Sequence, residues 1–260
     1  MKQNISIRAA LRQGKAVVGT WLQLACPDVA EIMGRMGYDW AAVDMEHGAV
    51  TRGHLPDIFR ALERWGTVPF VRVAEANLTQ IKYALDSGAR GVIFPMIESR
   101  AQLDQAIALS LYPGGDEFSG GRRGVGFCRA NAFGLDFASH TGPKGLGQDI
   151  TLVAQIEHKA ALPELDAIFS HPRLDACMVG PYDLSASMGL TGQFDHPDFT
   201  AALNLIEAKA KAHGLAPGIH VVQPDANVAR ARIAEGYTFI AYGIDSLFLQ
   251  AAGKRPEAGI

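Results

Sequence analysis

The sequence predicts a single (β/α)8 barrel, and three observations carry that prediction. Eight short, β-rich apolar runs alternate with eight segments of helical periodicity. The runs show little polar alternation, as expected for parallel strands covered on both faces. The length, 260 residues, suits one such barrel better than an ordinary domain. A doubly wound open sheet is the rival. It usually has fewer strands and a glycine-rich first turn, and no G-x-G-x-x-G follows the first run here.

The elements follow in order. Residues 17–22 form the first strand; the helix over 27–37 sets Val29, Ile32, Met33 and Met36 on one face and stops at Gly37. Strand 40–44 leads to a helix over 54–65, strand 68–73 to a helix over 78–86 closed by Gly88, and strand 91–96 to a helix over 100–111. Strand 152–156 precedes helix 162–169, and strand 176–180 precedes helix 198–213. Strand 218–222 precedes helix 227–234, and strand 239–242 precedes helix 246–252. These units fill 1–260 as one domain. Residues 112–149 break the rhythm with a long loop containing Gly120, Gly121, Arg122, Arg123, Gly124 and Gly126. Coming after strand four, it is expected at the mouth of the barrel, where it would govern substrate choice. It lacks a Walker lysine–hydroxyl pair, so its glycines do not mark a nucleotide site.

Composition removes several function classes. A net charge of −3 gives no basic footprint for nucleic acid. No apolar run reaches the roughly 18 residues of a membrane span, and the first ten residues lack the apolar core of a secretory signal. Cys26, Cys128 and Cys177 are odd in number and far apart, so they read as reduced, mostly buried thiols of a cytoplasmic protein.

In such a barrel the chemistry sits at the C-terminal ends of the strands. Strand two ends Asp44-Met45-Glu46-His47, strand three carries Arg72, strand five ends Gln155-Ile156-Glu157, and strand six ends Gly180-Pro181-Tyr182-Asp183. Glu157 and Asp183 come from consecutive strands. Two carboxylates at one mouth suit a divalent cation, Mg²⁺ or Mn²⁺ before Co²⁺ or Zn²⁺, with water and substrate completing the shell. The bland alternative is that each pairs with a base or caps a helix. Arg72 is always charged, so it either pairs internally with Asp44, Glu46 or Glu157, or clamps a substrate carboxylate or enolate oxygen. His47 is a candidate general base. Asp44 could partner it only if the chain leaves β geometry near 46–47, because strict alternation puts positions 44 and 47 on opposite faces. No strand holds a lysine, which argues against a Schiff-base mechanism; Lys159 lies beyond strand five, and Lys82 sits on a helix.

The blocks Gly19-Thr20-Trp21, Asp39-Trp40, Asp44-Met45-Glu46-His47, Val71-Arg72-Val73, Gln155-Ile156-Glu157 and Val179-Gly180-Pro181-Tyr182-Asp183-Leu184-Ser185 stand in the order and spacing of one family. The chain resembles, over essentially its whole length, the metal-dependent class II pyruvate aldolases of the HpcH/HpaI family, the 4-hydroxy-2-oxoheptanedioate and 2-dehydro-3-deoxyglucarate aldolase type. The resemblance implies that Glu157 and Asp183 ligate the metal. It implies that Gln155 and the amides of Tyr182 and Asp183 hold pyruvate, in a substrate site that includes Trp21, Gly180 and Pro181. His47 would be the base and Arg72 the stabiliser of the enolate oxygen. Asp86 matches the acidic residue that raises the basicity of the histidine. Asp86 ends the third helix, far from His47 of its own barrel, so in that role it would come from a neighbouring subunit of a homo-oligomer, a trimer or hexamer with shared sites. The alternative for Asp86 is a local turn contact before Gly88. The expected substrates are a 2-oxo acid and an aldehyde. Two other readings stand beside this one: a citrate-lyase β-type acyl-CoA lyase, for which Arg122–Arg123 is the only basic candidate, and a non-catalytic barrel that binds an oxo acid.

Overall fold

The computed structural model describes residues 6–255; the outermost residues of the 1–260 domain span lie outside the described region. Eight parallel strands close into one barrel: β1 Val17–Leu22, β2 Trp40–Asp44, β3 Val68–Arg72, β4 Gly91–Phe94, β5 Thr151–Ile156, β6 Ala176–Val179, β7 Ala216–Val221 and β8 Phe239–Ile244. Each pairs in parallel with its neighbour in sequence, and β8 returns to β1. The helices are α1 Ile7–Arg12, α2 Pro27–Arg35, α3 Leu55–Glu63, α4 Leu78–Asp86, α5 Arg100–Ser110, α6 Phe137–Thr141, α7 Leu165–Phe169, α8 Pro181–Ser187, α9 Pro197–Ala212, α10 Ala226–Glu235 and α11 Asp245–Ala252. The expected single (β/α)8 barrel is therefore the observed fold.

Local chemistry starts and stops these helices. Ser99 and Gln102 form a reciprocal capping box at α5, and the Asn77 side chain accepts from the Gln80 amide at α4. Gly236 ends α10 in the left-handed conformation. Outward-facing strand residues such as Val43, Val71 and Val92 pack against Ile58, Phe59 and Ile81 of the helices. Inside the barrel, Trp40, Phe70 and Phe239 fill one layer, with Trp40 stacked on Phe239 at 4.5 Å between centroids. Gly19 makes that layer possible: a Cβ there would meet the Trp40 ring at 2.0 Å. Ile7, Ala10 and Leu11 of α1 join this interior cluster, so the helix plugs the N-terminal end of the barrel.

One expectation is overturned. Residues 112–149 leave the end of α5, not β4, and lead into β5. The helices of a barrel return the chain to the N-terminal ends of the strands, so this segment lies opposite the mouth. Its contacts agree. Arg123 bonds Asp86 at the end of α4, Arg129 reaches Glu63 at the end of α3, and Glu117 pairs with Arg8 of α1. It therefore does not shape the mouth of its own barrel. The cysteines are unpaired, and Cys177 is buried while Cys26 and Cys128 are partly exposed. No described helix is long and apolar enough to cross a membrane.

Candidate active site at the barrel mouth

The C-terminal strand ends surround a cavity of about 340 Å³. Trp21, His47, Arg72, Gln155, Gly180, Pro181, Tyr182 and Asp183 all line it, so most of the residues singled out in sequence converge on one place.

Asp44 and Arg72 are register partners at the ends of β2 and β3. Arg72 forks onto Asp44, with Nε donating to Oδ1 at 3.0 Å and Nη2 to Oδ2 at 2.7 Å; both side chains are buried. Arg72 Nη1 lies 3.1 Å from Glu46 Oε2, and the guanidinium carbon sits 4.5 Å over the Trp21 ring. A guanidinium has five N–H groups. The Asp44 fork engages two, and Glu46 adds an ion pair without a hydrogen bond, so Arg72 is internally paired and still lines the cavity. Burial alone would raise the Asp44 pKa, but the Arg72 fork, Gln23 and the His47 amide outweigh it and hold it below the usual value.

The chain leaves β geometry directly after Asp44. The amides of Glu46 and His47 donate to Asp44 Oδ1 at 3.1 and 3.2 Å, and this tight turn carries His47 to the exposed rim. The His47 ring has Glu46 as its carboxylate neighbour, with Nε2 3.9 Å from Oε2, and Asp44 meets only its backbone. Asp86 is not brought to the mouth within this chain. It accepts from Arg123 Nη2 at 2.9 Å at the far end of the barrel. That bond, together with the burial of Arg123, also removes Arg123 from any basic groove for a nucleotide.

Glu157 is 2% exposed. Its Oε1 accepts from the Met96 amide at 2.7 Å, and Gln155 Nε2 donates to Oε2. Met96 holds that amide in place with a left-handed φ of 52°, a conformation uncommon for a side-chain-bearing residue. Burial pushes the Glu157 pKa up to about 7 despite the two hydrogen bonds, with Glu46 adding to the rise and Arg72 opposing it. Gly180 lies against this carboxylate, where a Cβ would meet Glu157 Oε2 at 2.5 Å. Three residues on, in the first turn of α8, Asp183 is exposed to the cavity. A buried carboxylate that resists ionisation chiefly through desolvation, bonded only to the Met96 amide and the Gln155 side chain, has no cation bonded to it among the described residues. A divalent cation fits that deficit. Among the described residues no three His, Cys, Asp or Glu side chains group to hold a metal. Gln155 Oε1 and Trp21 Nε1 are buried polar atoms without a described partner.

Three contributors escaped the sequence reading. Gln23, just after β1, donates to Asp44 Oδ2 at 3.0 Å and lines the cavity. Asp245 is buried and accepts from the Gln23 and Leu24 amides at 3.0 Å each, fixing that turn. His220 lines the cavity from β7. Gln23 and His220 were visible as polar residues at or near strand ends; nothing local marks Asp245, whose partners are more than 220 positions away.

Comparison with known proteins adds an independent line. A family model described as HpcH/HpaI aldolase/citrate lyase matches residues 17–252. A hydroxypyruvate/pyruvate aldolase of Roseobacter denitrificans is 33% identical over 249 residues, covering 96% of this chain and 94% of its own. A 2-keto-3-deoxy-L-rhamnonate aldolase of Klebsiella pneumoniae is 32% identical over 249 residues, covering 95% of this chain and 90% of its own. The crystal structure of an HpcH/HpaI aldolase/citrate lyase family protein from Burkholderia cenocepacia superposes with a TM-score of 0.89 at 32% identity, covering 96% of each chain.

Proposed function

Because the chain belongs to the HpcH/HpaI aldolase/citrate lyase family and is a carbon–carbon lyase with aldolase activity, we propose that it catalyses reversible, divalent-metal-dependent aldol cleavage and addition between pyruvate or hydroxypyruvate and an aldehyde. The observation that carries this reading is the mouth itself. Asp183, a paired Arg72, Gln155 and His47 line one cavity of substrate size, and the buried Glu157 lies behind it, bonded to Gln155.

Glu157 and Asp183 are the residues that would hold the cation, Mg²⁺ or Mn²⁺ before Co²⁺ or Zn²⁺. When bound, it supplies Lewis-acid polarisation of the 2-oxo acid carbonyl. The chain's own groups do the rest. Gln155 and the amides of Tyr182 and Asp183 hold the 2-oxo acid; supporting this, the first turn of α8 has Pro at N1 and no side-chain cap. Arg72 shares the negative charge of the enolate, held in place for that role by Asp44 and Glu46. His47, at the exposed rim, moves the proton between the acceptor oxygen and solvent. The reading also makes the chain a homo-oligomer, a trimer or hexamer, in which Asp86 of a neighbouring copy would serve His47. The support for this is the exposed apolar surface of Phe127, Phe133 and Leu135, in the segment whose Arg123 already holds Asp86. The unpaired cysteines favour a cytoplasmic setting.

The test is an aldehyde panel with pyruvate or hydroxypyruvate as donor in the presence of Mg²⁺ or Mn²⁺, with acetyl-CoA offered separately. Carbon–carbon bond formation with at least one aldehyde is expected. Failure with every aldehyde, together with turnover of an acyl-CoA substrate, would replace this reading with the acyl-CoA lyase.

A further inference from the structure

The cavity has one polar wall that the mechanism above does not use. Along β7, Ala216, Gly218 and His220 share the inward face, while Ile219 and Val221 pack outward. His220 is the residue of this face that reaches the mouth, where it lines the same cavity as Gln155 and Arg72. Its ring rests against Trp21, 5.5 Å between centroids, and Trp21 in turn lies under Arg72.

The orientation of the ring is fixed by chemistry. His220 Nε2 lies 3.3 Å from the Gly243 carbonyl oxygen. A carbonyl only accepts, so Nε2 carries the hydrogen. Gly243 can present that carbonyl because it sits in β8 at φ 65°, where the β1–β8 register shifts; a Cβ there would meet the Phe248 ring at 2.4 Å. Burial lowers the imidazole pKa to about 4, outweighing the Gly243 bond, so the ring is neutral at pH 7. A neutral ring whose Nε2 is the donor has Nδ1 as a bare acceptor. An apolar side chain would serve packing against Trp21 equally well. A tethered imidazole adds one directed hydrogen-bond acceptor on a wall otherwise built of Met178, Val222 and Ile244.

We propose that His220 is a specificity-determining residue whose imidazole accepts a hydrogen bond from a substrate hydroxyl, making the site selective for hydroxylated over deoxy substrates. The inference rests on the aldolase reading. The hydroxyl can come from the donor, as in hydroxypyruvate against pyruvate, or from the acceptor, as in glycolaldehyde against acetaldehyde. Both sources offer the same O–H donor.

The experiment measures kcat/KM for these two pairs in the Mg²⁺-supplemented full chain, in His220→Leu and in His220→Asn. Asparagine keeps an amide oxygen about where Nδ1 stands. One neutral hydrogen bond corresponds to a selectivity of roughly tenfold. In His220→Leu the hydroxylated-to-deoxy ratio is expected to fall by about that factor in one pair, with the deoxy substrate changed little. The affected pair identifies the source of the hydroxyl, and His220→Asn recovers most of the ratio. A ratio unchanged in both pairs, or equal losses for hydroxylated and deoxy substrates in both variants, would overturn the proposal. Absence of turnover of all four substrates by the unsubstituted chain would overturn the aldolase reading and this inference with it.

Discussion

Asp44→Ala should destabilise this protein more than an ordinary surface change, and by an amount the geometry sets. Asp44 is fully buried, takes both nitrogens of the Arg72 fork, and also accepts from Gln23 and from the amides of Glu46 and His47. Removing one member of a buried pair typically costs about 3–5 kcal/mol, chiefly because the other charge is stranded. Glu46 stays 3.1 Å from Arg72 Nη1 and offsets part of that loss, so the low end applies, about 3 kcal/mol. For a domain of this size that is a fall in Tm of roughly 6–12 °C. The Asp44→Ala/Arg72→Met double variant should cost less than the sum of the singles, because no guanidinium is stranded and Glu46 alone loses a partner. The expected coupling is about 2–3 kcal/mol. Urea unfolding of the four proteins reads it directly. Additive costs within about 0.5 kcal/mol, or an Asp44→Ala cost under about 1 kcal/mol, would refute the claim that this pair builds the mouth.

Two further outcomes follow. Gly180→Ala and Gly19→Ala both insert a Cβ into filled space, against Glu157 Oε2 in one case and the Trp40 ring in the other. The first should cut activity and Mn²⁺ affinity at least tenfold with a modest stability cost, by analogy with disturbed metal-site supports. The second should lower stability by about 1–3 kcal/mol through overpacking while sparing Mn²⁺ affinity per folded molecule; the opposite assignment, measured by metal titration and thermal melts, would contradict the site. Stability should also fall with acid before the carboxylates titrate. Burial, with Arg123 and Arg90 at His140 and Arg100 at His171, holds both imidazoles down to about 4 from an ordinary 6.5. Below pH 6.5 the unfolded chain therefore binds protons that the folded chain refuses. Their contribution is fully present above 6.5 and is lost as pH drops toward 4, with His220 adding to the loss and Glu157, raised to about 7, opposing it in the same window; a Tm flat from pH 7 to 4.5 would show that these histidines are not buried as described.

The sequence was most informative where the physics is local. The 40–44 strand and the 78–86 helix match the structure residue for residue, because apolar runs, caps and stop glycines act over a few positions. Strand-end polarity pointed to Arg72, Gln155 and Asp183, which line one cavity, and to Glu157, buried beside Gln155, since a barrel has only one mouth. What the sequence could not show was pairing across the chain. Whether Arg72 stood free or forked onto Asp44, and that Asp245 fixes the turn carrying Gln23, depend on residues 28 and 222 positions apart. Helix α1 was missed because six residues carry too little periodicity to read, and α8 because it begins directly at the end of β6. The segment 112–149 was set at the wrong end. Its place follows from the direction in which α5 returns the chain, not from its own composition.

The central claim is that Glu157 and Asp183 hold a cation that the chemistry requires. Exchange of the pyruvate methyl protons with deuterated solvent, followed by NMR in the chain treated with a chelator and then resupplied with Mg²⁺ or Mn²⁺, tests it without any acceptor aldehyde. Exchange lost on chelation, restored by metal, and absent in Glu157→Gln under both conditions is the expected result. Full exchange in the metal-free protein would contradict it.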